Sequence, residues 1–260
     1  MAIFKDTGGV VSQKQIASGI YDMTLSFPRG AREARPGQFI AMYCNDSSRL
    51  LPRPISICEI DKKAGTLRVV YRVAGGGTEE FSRMQAGDSL ELMGPLGNGF
   101  SFPQDTQKKA IIIGGGIGIP PMLELARQYP GEKTVVLGYR DELFLKEEFE
   151  DLSSCQVFVA TEDGSSGTKG TVIDAIKDQA IEGDIIYACG PMPMLKALAA
   201  YAAEHGMEAQ ISLEERMACG IGACLGCIAK SRERDHHTNV HNRRICKDGP
   251  VFDAKDIIFA

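Results

Sequence analysis

The apolar positions change rhythm twice along the chain. Up to about residue 100 they fall in six short runs: VVSQKQIASGI, YDMTLSF, GQFIAMYC, ISICEI, TLRVVYRVA and DSLELMG. Runs of this length, with Gly, Pro or Asp between most of them, predict an antiparallel barrel. Within it only GTEEFSRM, Gly77 to Met84, reads as a short helix. A polar stretch, SFPQDTQKK, follows, and a boundary is expected near Pro103. Apolar strands then alternate with helical periods. AIIIGGG, TVVLGY, QVFVAT, DIIYACG and EAQISLE read as strands; PPMLELARQY, KGTVIDAIKD and MPMLKALAAYAAEHG read as helices. That alternation predicts a parallel sheet wrapped on both faces. From about Glu215 the periodicity is lost, and a piece of ~45 residues builds little core of its own. The expected architecture is α/β and multidomain: a barrel over 1–102, a parallel α/β domain over 103–214 and a small C-terminal segment over 215–260.

Composition narrows the function classes. A net charge of −5 gives no electrostatic case for nucleic acid or for an anionic membrane surface. No apolar run approaches the roughly 18 residues of a membrane span, and MAIFKDTGG has no apolar segment of signal-peptide length. The expectation is a cytoplasmic protein with reduced thiols, which disfavours a disulfide framework for its eight cysteines. Cys44, Cys58, Cys155 and Cys189 sit in strand-like segments and read as small buried hydrophobes.

The other four are clustered. Cys219, Cys224 and Cys227 are spaced x4 and x2, with Gly220, Gly222 and Gly226 between them, and Cys246 follows after eighteen residues. This is the plant-type [2Fe–2S] spacing, in which a tight loop supplies three thiolates and a distant residue the fourth. Small residues let backbone N–H groups reach the sulfurs. Zinc is the competing reading, and its sites use a first gap of two to four residues. His236, His237 and His241 lie nearby in RERDHHTNVHNRR, a stretch that reads as a solvated loop.

Four further motifs suit phosphates and nucleotides. IIIGGGIGIPPM, with Gly114, Gly116 and Gly118, places glycines at a strand–helix junction, where N–H groups meet a pyrophosphate. Pro121 stands where the Rossmann fingerprint has Gly or Ala, which argues against that standard fold. In LPRPISI, Arg53 is held extended between two prolines, a posture for bidentate phosphate binding, and Ser56 could donate to a flavin ring atom. In YRVAGGGTEEF, Gly75, Gly76, Gly77 and Thr78 precede a short helix. YACGPMPML ends a strand with Cys189 and Gly190, at the sheet edge where ligands bind. Each also has a plain structural reading as a tight turn, a solvated arginine or a buried cysteine.

In combination, a barrel carrying R-P-x-S followed by a sheet carrying GGGxGxxP and CGP resembles the ferredoxin–NADP reductase superfamily. ERMACGIGACLGC followed by CKDGPVF is similar to the electron-transfer subunits of type B dihydroorotate dehydrogenases. The resemblance covers essentially the whole chain. It implies FAD on the barrel, at Arg53, Pro54, Ile55, Ser56, Val70, Tyr71, Arg72, Gly77 and Thr78. Ile55 stands where many superfamily members have an aromatic residue. The resemblance implies NAD on the sheet, near Gly114, Gly116, Gly118, Cys189 and Gly190, and one [2Fe–2S] cluster on Cys219, Cys224, Cys227 and Cys246. Cys219 and Cys224 would hold one iron, Cys227 and Cys246 the other. The implied partner is an FMN-containing dihydroorotate dehydrogenase catalytic subunit, in a heterotetramer of two of each. Electrons from dihydroorotate would pass through the cluster to FAD and on to NAD⁺, in de novo pyrimidine (UMP) biosynthesis.

For the nicotinamide, Asp141 or Glu142 in GYRDE could bind a ribose 2′-hydroxyl, and Arg140 could favour a 2′-phosphate. Reductase subunits of hydrogenases and of NADPH-dependent ferredoxin or sulfide oxidoreductases share the layout and are the alternative. A zinc-stabilised binding module is a rival of another class. A monooxygenase reductase usually carries a larger ferredoxin domain.

Overall fold

A computed structural model describes residues 3–235 and 239–259. The first half is a closed barrel of β1 (Phe4–Ala17), β2 (Ile20–Ser26), β3 (Phe39–Met42), β4 (Arg53–Asp61), β5 (Thr66–Arg72) and β6 (Ser89–Leu96), in the order β1-β2-β5-β4-β3-β6. All its pairings are antiparallel. Met23, Leu25, Ile40, Met42, Ile57, Leu67, Val69, Tyr71 and Leu92 alternate inward and fill it. The first strand ends sooner than its apolar run suggests. Gly19 takes a left-handed φ of +66°, and Ile20 opens β2. Two helices accompany the barrel: the expected α2 (Gly76–Ser82) and α1 (Pro28–Glu33), which was not expected. Six residues are too few to display a helical period, but Pro28 starts that helix well because its missing N–H is needed by no carbonyl there.

The second half is a seven-stranded sheet. It contains β7 (Ala110–Gly115), β8 (Lys133–Tyr139), β9 (Cys155–Thr161), β10 (Thr168–Lys169), β11 (Ile185–Cys189), β12 (Glu208–Ser212) and β15 (Val251–Asp253), in the order β10-β9-β8-β7-β11-β12-β15. The first six run parallel and β15 is antiparallel to β12. β7 is buried along its whole length, as a central parallel strand covered on both faces should be. The covering helices are α3 (Pro120–Gln128), α4 (Lys146–Glu150), α5 (Val172–Asp178) and α6 (Met192–Glu204).

The C-terminal segment adds a hairpin of β13 (Ile228–Lys230) and β14 (Asn242–Arg244) and the one-turn helix α7 (Ile245–Asp248). It packs against both other parts of the chain. Through β15 it becomes an edge strand of the sheet. Cys227, Ile245, Cys246 and Ile257 are buried in one core with Ile111 and Leu213 of the sheet domain and Met93 and Leu96 of the barrel. Asn98, just past β6, clamps it: its Nδ2 donates to the carbonyls of Asp248 (3.2 Å) and Val251 (2.9 Å), and its Oδ1 accepts from the Val251 N–H (3.0 Å).

Barrel and sheet are joined by ionic contacts, centred on the largely buried Arg68. Arg68 of β5 meets both carboxylate oxygens of Asp22 at 2.8 Å and both of Glu148 on α4 at 2.5 and 2.8 Å. Arg127 of α3 reaches Glu59 of β4 at 3.0 Å.

Candidate functional site

Arg53 to Ser56 open β4 and pair with β3, Met42 opposite Arg53 and Phe39 opposite Ser56. The Arg53 guanidinium donates to the Leu51 carbonyl and lies flat on Gly77, where a Cβ would occupy its place. Gly77 is therefore a glycine because a cation packs on it. Arg49 does the same one residue earlier. It donates to the Gly76 carbonyl and is held by Glu80 (2.9 Å) and Asp46 (3.4 Å). The Thr78 hydroxyl accepts the N–H groups of Ala74 (2.9 Å) and Gly75 (3.3 Å) and donates to the Gly75 carbonyl (3.0 Å), so it shapes the loop. Ser56 is half-buried, with no side-chain partner among the described residues. Two cations on a glycine pair form a cradle suited to a diphosphate.

Val70, Tyr71 and Arg72 do not share a face. The Tyr71 ring is buried in the barrel, stacked on Tyr21, and its hydroxyl donates to Gln13 Oε1 at 2.8 Å. Burial pushes that hydroxyl well above its usual range. Tyr71 can offer a ligand only its backbone. Val70 and Arg72 point the other way, Val70 buried beside Ile119 and Arg72 exposed.

Gly116 to Gly118 form a 3-10 turn between β7 and α3, with Gly116 at φ +53°. A methyl group on Gly118 would strike the Cys189 carbonyl, and the Gly190 nitrogen lies 2.6 Å from where it would sit. On Gly114 a methyl would come within 2.7 Å of the Ile119 Cα. The backbone of the turn thus rests directly on the end of β11, where Cys189 lies level with Gly114 and Ser212. Burial, partly offset by a hydrogen bond with Ser212, pushes the Cys189 thiol up to about 12, so it is neutral. At the end of β8, the Glu142 carboxylate is committed to the barrel: it accepts the Ser18 N–H at 2.8 Å. Asp141 Oδ1 accepts the Glu142 N–H at 2.7 Å. Each carboxylate keeps a second oxygen, and Asp141, Glu142 and Arg140 are all exposed.

The four clustered thiols form two pairs. Cys219 is half-buried and Cys224 exposed, whereas Cys227 and Cys246 are buried, where the Cys246 N–H points at Cys227 Sγ (3.4 Å). Backbone donors converge on the sulfurs: Gly222 N–H on Cys246 (3.1 Å) and Ala223 N–H on Cys219 (3.3 Å). The loop achieves this with left-handed residues at Gly220 (φ +69°), Gly222 (φ +84°) and Leu225 (φ 56°). Burial opposes ionisation of Cys219, but the N–H groups of Ile221, Cys224 and Ala223 and the Cys224 thiol bring its pKa down to about 6. Burial and the Cys227 contact push Cys246 up to about 12. Among the described residues no three His, Cys, Asp or Glu side chains gather as one metal ion requires. Two pairs of thiols fed by N–H donors suit a pair of irons, two sulfurs to each. His241 has Nδ1 at 2.9 Å from the Arg232 carbonyl and Nε2 at 3.4 Å from Arg234 Nε, and His236 and His237 lie outside the described residues.

Three family models match the chain in succession: an oxidoreductase FAD-binding domain over 8–100, an oxidoreductase NAD-binding domain over 112–200 and the iron–sulfur cluster binding domain of dihydroorotate dehydrogenase B over 214–258. The dihydroorotate dehydrogenase B (NAD(+)) electron transfer subunit of Caldanaerobacter subterraneus subsp. tengcongensis is 43% identical over 96% of this chain and 97% of its own length. That of Streptococcus mutans is 42% identical over 98% and 99%. The chain belongs to this family of electron transfer subunits. Among solved structures, a chain of the NADH-dependent reduced ferredoxin–NADP oxidoreductase aligns with a TM-score of 0.86 and 28% identity, over 97% of this chain and 90% of that one. The ferredoxin reductase of carbazole 1,9a-dioxygenase, at 21% identity and a TM-score of 0.67, shares the fold.

The structure places three residues that the motifs did not. Arg49 stands in NDSSRLL, a loop with no recognisable pattern. Asn98 follows a barrel strand in an ordinary LGNGF turn. Glu124 lies in α3 between Leu123 and Leu125, where a charge breaks the apolar period. That last break is the one signal the sequence offered.

Proposed function

We propose that this chain carries electrons between the catalytic subunit of a dihydroorotate dehydrogenase and NAD⁺, with FAD on the barrel, a [2Fe–2S] cluster on the C-terminal loop and the nicotinamide at the sheet edge. Arg53–Ser56, the β5 segment Val70–Arg72, Gly77 and Thr78 hold the flavin nucleotide, with Tyr71 contributing backbone alone. Cys219 and Cys224 ligate the outer iron, Cys227 and Cys246 the inner one. Gly114, Gly116, Gly118, Cys189 and Gly190 receive the dinucleotide.

One observation carries the reading. Phe39 of β3 pairs with Ser56 on one side and with Leu96 on the other, and Leu96 lies 3.3 Å from where a Cβ on Gly220 would be. The proposed flavin strand therefore lies two strand spacings, about 10 Å, from the strand against which the cysteine loop packs. When bound, FAD supplies the exchange between single electrons on a cluster and an electron pair on nicotinamide. The protein fixes the spacing, and N–H groups stabilise negative charge on the sulfurs.

The partner is the family's catalytic subunit; we assign it FMN and a heterotetramer of two of each chain, with de novo pyrimidine (UMP) biosynthesis as the setting. Ile221 and Leu225, each 48% exposed, flank the exposed Cys224 and give that subunit an apolar landing beside the outer iron. None of the eight cysteines is in a disulfide, and we assign the chain to the cytoplasm, where thiols stay reduced. No helix among the described residues is long and apolar enough to cross a membrane.

The test is an anaerobic visible spectrum of the pure protein before and after NADH. Bleaching of both flavin and iron–sulfur bands is expected, and mixing with the FMN-containing subunit should give dihydroorotate-dependent NAD⁺ reduction. A colourless protein, produced anaerobically with both groups supplied, would end this reading. Bleaching without dihydroorotate-dependent reduction would favour the hydrogenase or ferredoxin-linked alternative.

A further inference from the structure

We propose that Glu124 is a positioning residue that sets the flavin strand against the nicotinamide turn. The inference rests on the assignment of FAD to β4 and of the nicotinamide to Gly116–Gly118 made above.

Glu124 is 3% exposed, on the face of α3 that packs across β4. A carboxylate in such a place is costly unless its oxygens are hydrogen-bonded. They are. Oε2 accepts the backbone N–H of Ile60 at 3.1 Å and Arg127 Nη1 at 3.4 Å, and Oε1 accepts Gln128 Nε2 at 2.6 Å. The contact with Ile60 is to main chain, so it fixes the position of the strand itself. It falls where β4 is irregular: the pairing with β5 slips by one residue between Ile57 and Glu59. Arg127 then spans back to Glu59 at 3.0 Å.

The two elements joined here are the ones that begin at the two cofactor sites. β4 starts with Arg53 to Ser56. α3 starts at Pro120, directly after the glycine turn, and Glu124 lies one turn further along the same face, about 6 Å from it. Ile119, between them, is buried in one cluster with Cys58 of β4 and Val70 of β5. A rigid turn of helix therefore connects the Glu124–Ile60 bond to the backbone that would hold the dinucleotide. Hydride transfer needs donor and acceptor in near-contact geometry, and a misplacement of about 1 Å costs roughly a hundredfold in rate. A buried carboxylate that pins main chain to main chain controls such a displacement.

The experiment uses the complete two-subunit complex with its cofactors. Glu124→Ala removes the anchor. Glu124→Gln keeps an oxygen for the Ile60 N–H. Glu148→Gln weakens the Arg68 contact in the same interface and leaves Ile60 untouched. Two quantities are read: the anaerobic rate of FAD reduction by saturating NADH, with NADH Kd and flavin content alongside, and amide exchange at Ile60 and across Gly116–Pro121. Glu124→Ala should slow reduction by roughly 10- to 100-fold at unchanged Kd and flavin content, with exchange rising at both places. Glu124→Gln should restore most of the rate, and Glu148→Gln should keep it. A wild-type rate in Glu124→Ala overturns the proposal, as does slowing matched by Glu148→Gln, or exchange rising at Ile60 alone. Should Glu124→Ala fail to fold, Glu124→Met, which keeps the side-chain volume and removes the acceptor for the Ile60 N–H, is read against Glu148→Gln in its place. A wild-type complex that NADH does not reduce would instead refute the cofactor assignment, and the exchange measurement would still decide whether Glu124 couples the two segments.

Discussion

Replacing Asn98 by alanine should loosen the cysteine segment from the barrel by an amount readable from three bonds. The side chain donates to the carbonyls of Asp248 and Val251 and accepts from the Val251 N–H, at 2.9 to 3.2 Å. Each such bond contributes about 1 kcal/mol net, so the three together contribute about 3 kcal/mol. Asn98 is half-buried, and water returns part of this to the freed groups. About 2–3 kcal/mol is then expected for Asn98→Ala. The main-chain bond from the Asn98 N–H to the Gly249 carbonyl (2.6 Å) and the β12–β15 ladder remain, so the loss is local opening rather than global unfolding. At 1.36 kcal/mol per decade this is roughly a 30- to 150-fold fall in protection of the Val251 amide. Asn98→Asp keeps the acceptor for Val251 but turns an oxygen toward two carbonyls, and it should rescue little. The assay is amide exchange across 248–252 in the cofactor-loaded protein. Protection of Val251 within threefold of wild type in Asn98→Ala would show that the segment stands without the clamp, and the argument that it is built into the barrel would fail.

Three further outcomes follow from single sites. Gly118→Ala pushes a methyl into the immovable carbonyl of Cys189; NADH affinity should collapse in an equilibrium titration while flavin and cluster spectra persist, and an unchanged Kd would refute the assigned turn. Gly77→Val takes the space of the Arg53 guanidinium; purified protein should lose most of its FAD and keep its cluster absorbance, so full flavin occupancy would contradict the cradle. In protein prepared without the cluster, Cys219 titrates at about 6 against 9.0 for an ordinary thiol. Folding favours its thiolate, so its contribution to stability is complete above pH 9 and is lost as pH falls through 6; Cys246, shifted the opposite way, loses its contribution only above pH 9. Urea stability should therefore fall between pH 9 and 6, and Cys219 alkylation followed by mass spectrometry should have its midpoint near 6. A midpoint near 9 would show that the N–H donors do not act on that sulfur.

What could be read from the chain in advance was what is local. The cysteine spacing is set by a loop that must bring three thiols together within nine residues, and backbone N–H groups of that loop do reach sulfurs in the structure. The glycine turn at 116–118 is local too, because a helix must start where the strand stops. Alternation marked the six barrel strands because one face of each is buried. Face and commitment were hidden. Tyr71 sits in a motif that resembles a flavin segment, yet its ring belongs to the barrel core, and nothing in VYR says which of three neighbours turns inward. Asp141 and Glu142 look available at a strand end, but Glu142 is held by Ser18, a residue 124 positions away. Contacts of that separation carry no periodicity and no spacing.

The segment from about residue 215 leans on the rest of the chain more than its lost periodicity suggests, and the cause is physical. A segment of ~45 residues that cannot bury a core must find support from a metal centre or from a host, and the sequence argument stopped at the metal. The residues that name the host were visible. Val251, Phe252 and Ile257 are apolar positions in a stretch too short to shelter them, and Val251–Asp253 completes the sheet edge while Cys227 and Cys246 sink into the core shared with Met93 and Leu96. A cluster tethered as a separate module would have a variable distance to the flavin, and its electron-transfer rate would follow the motion of a linker. A cluster whose inner pair of ligands is part of the core has its distance set by the β4-β3-β6 register instead. Changes that disturb that register, at Phe39 or Leu96, should therefore alter electron transfer between flavin and cluster even though neither residue touches sulfur.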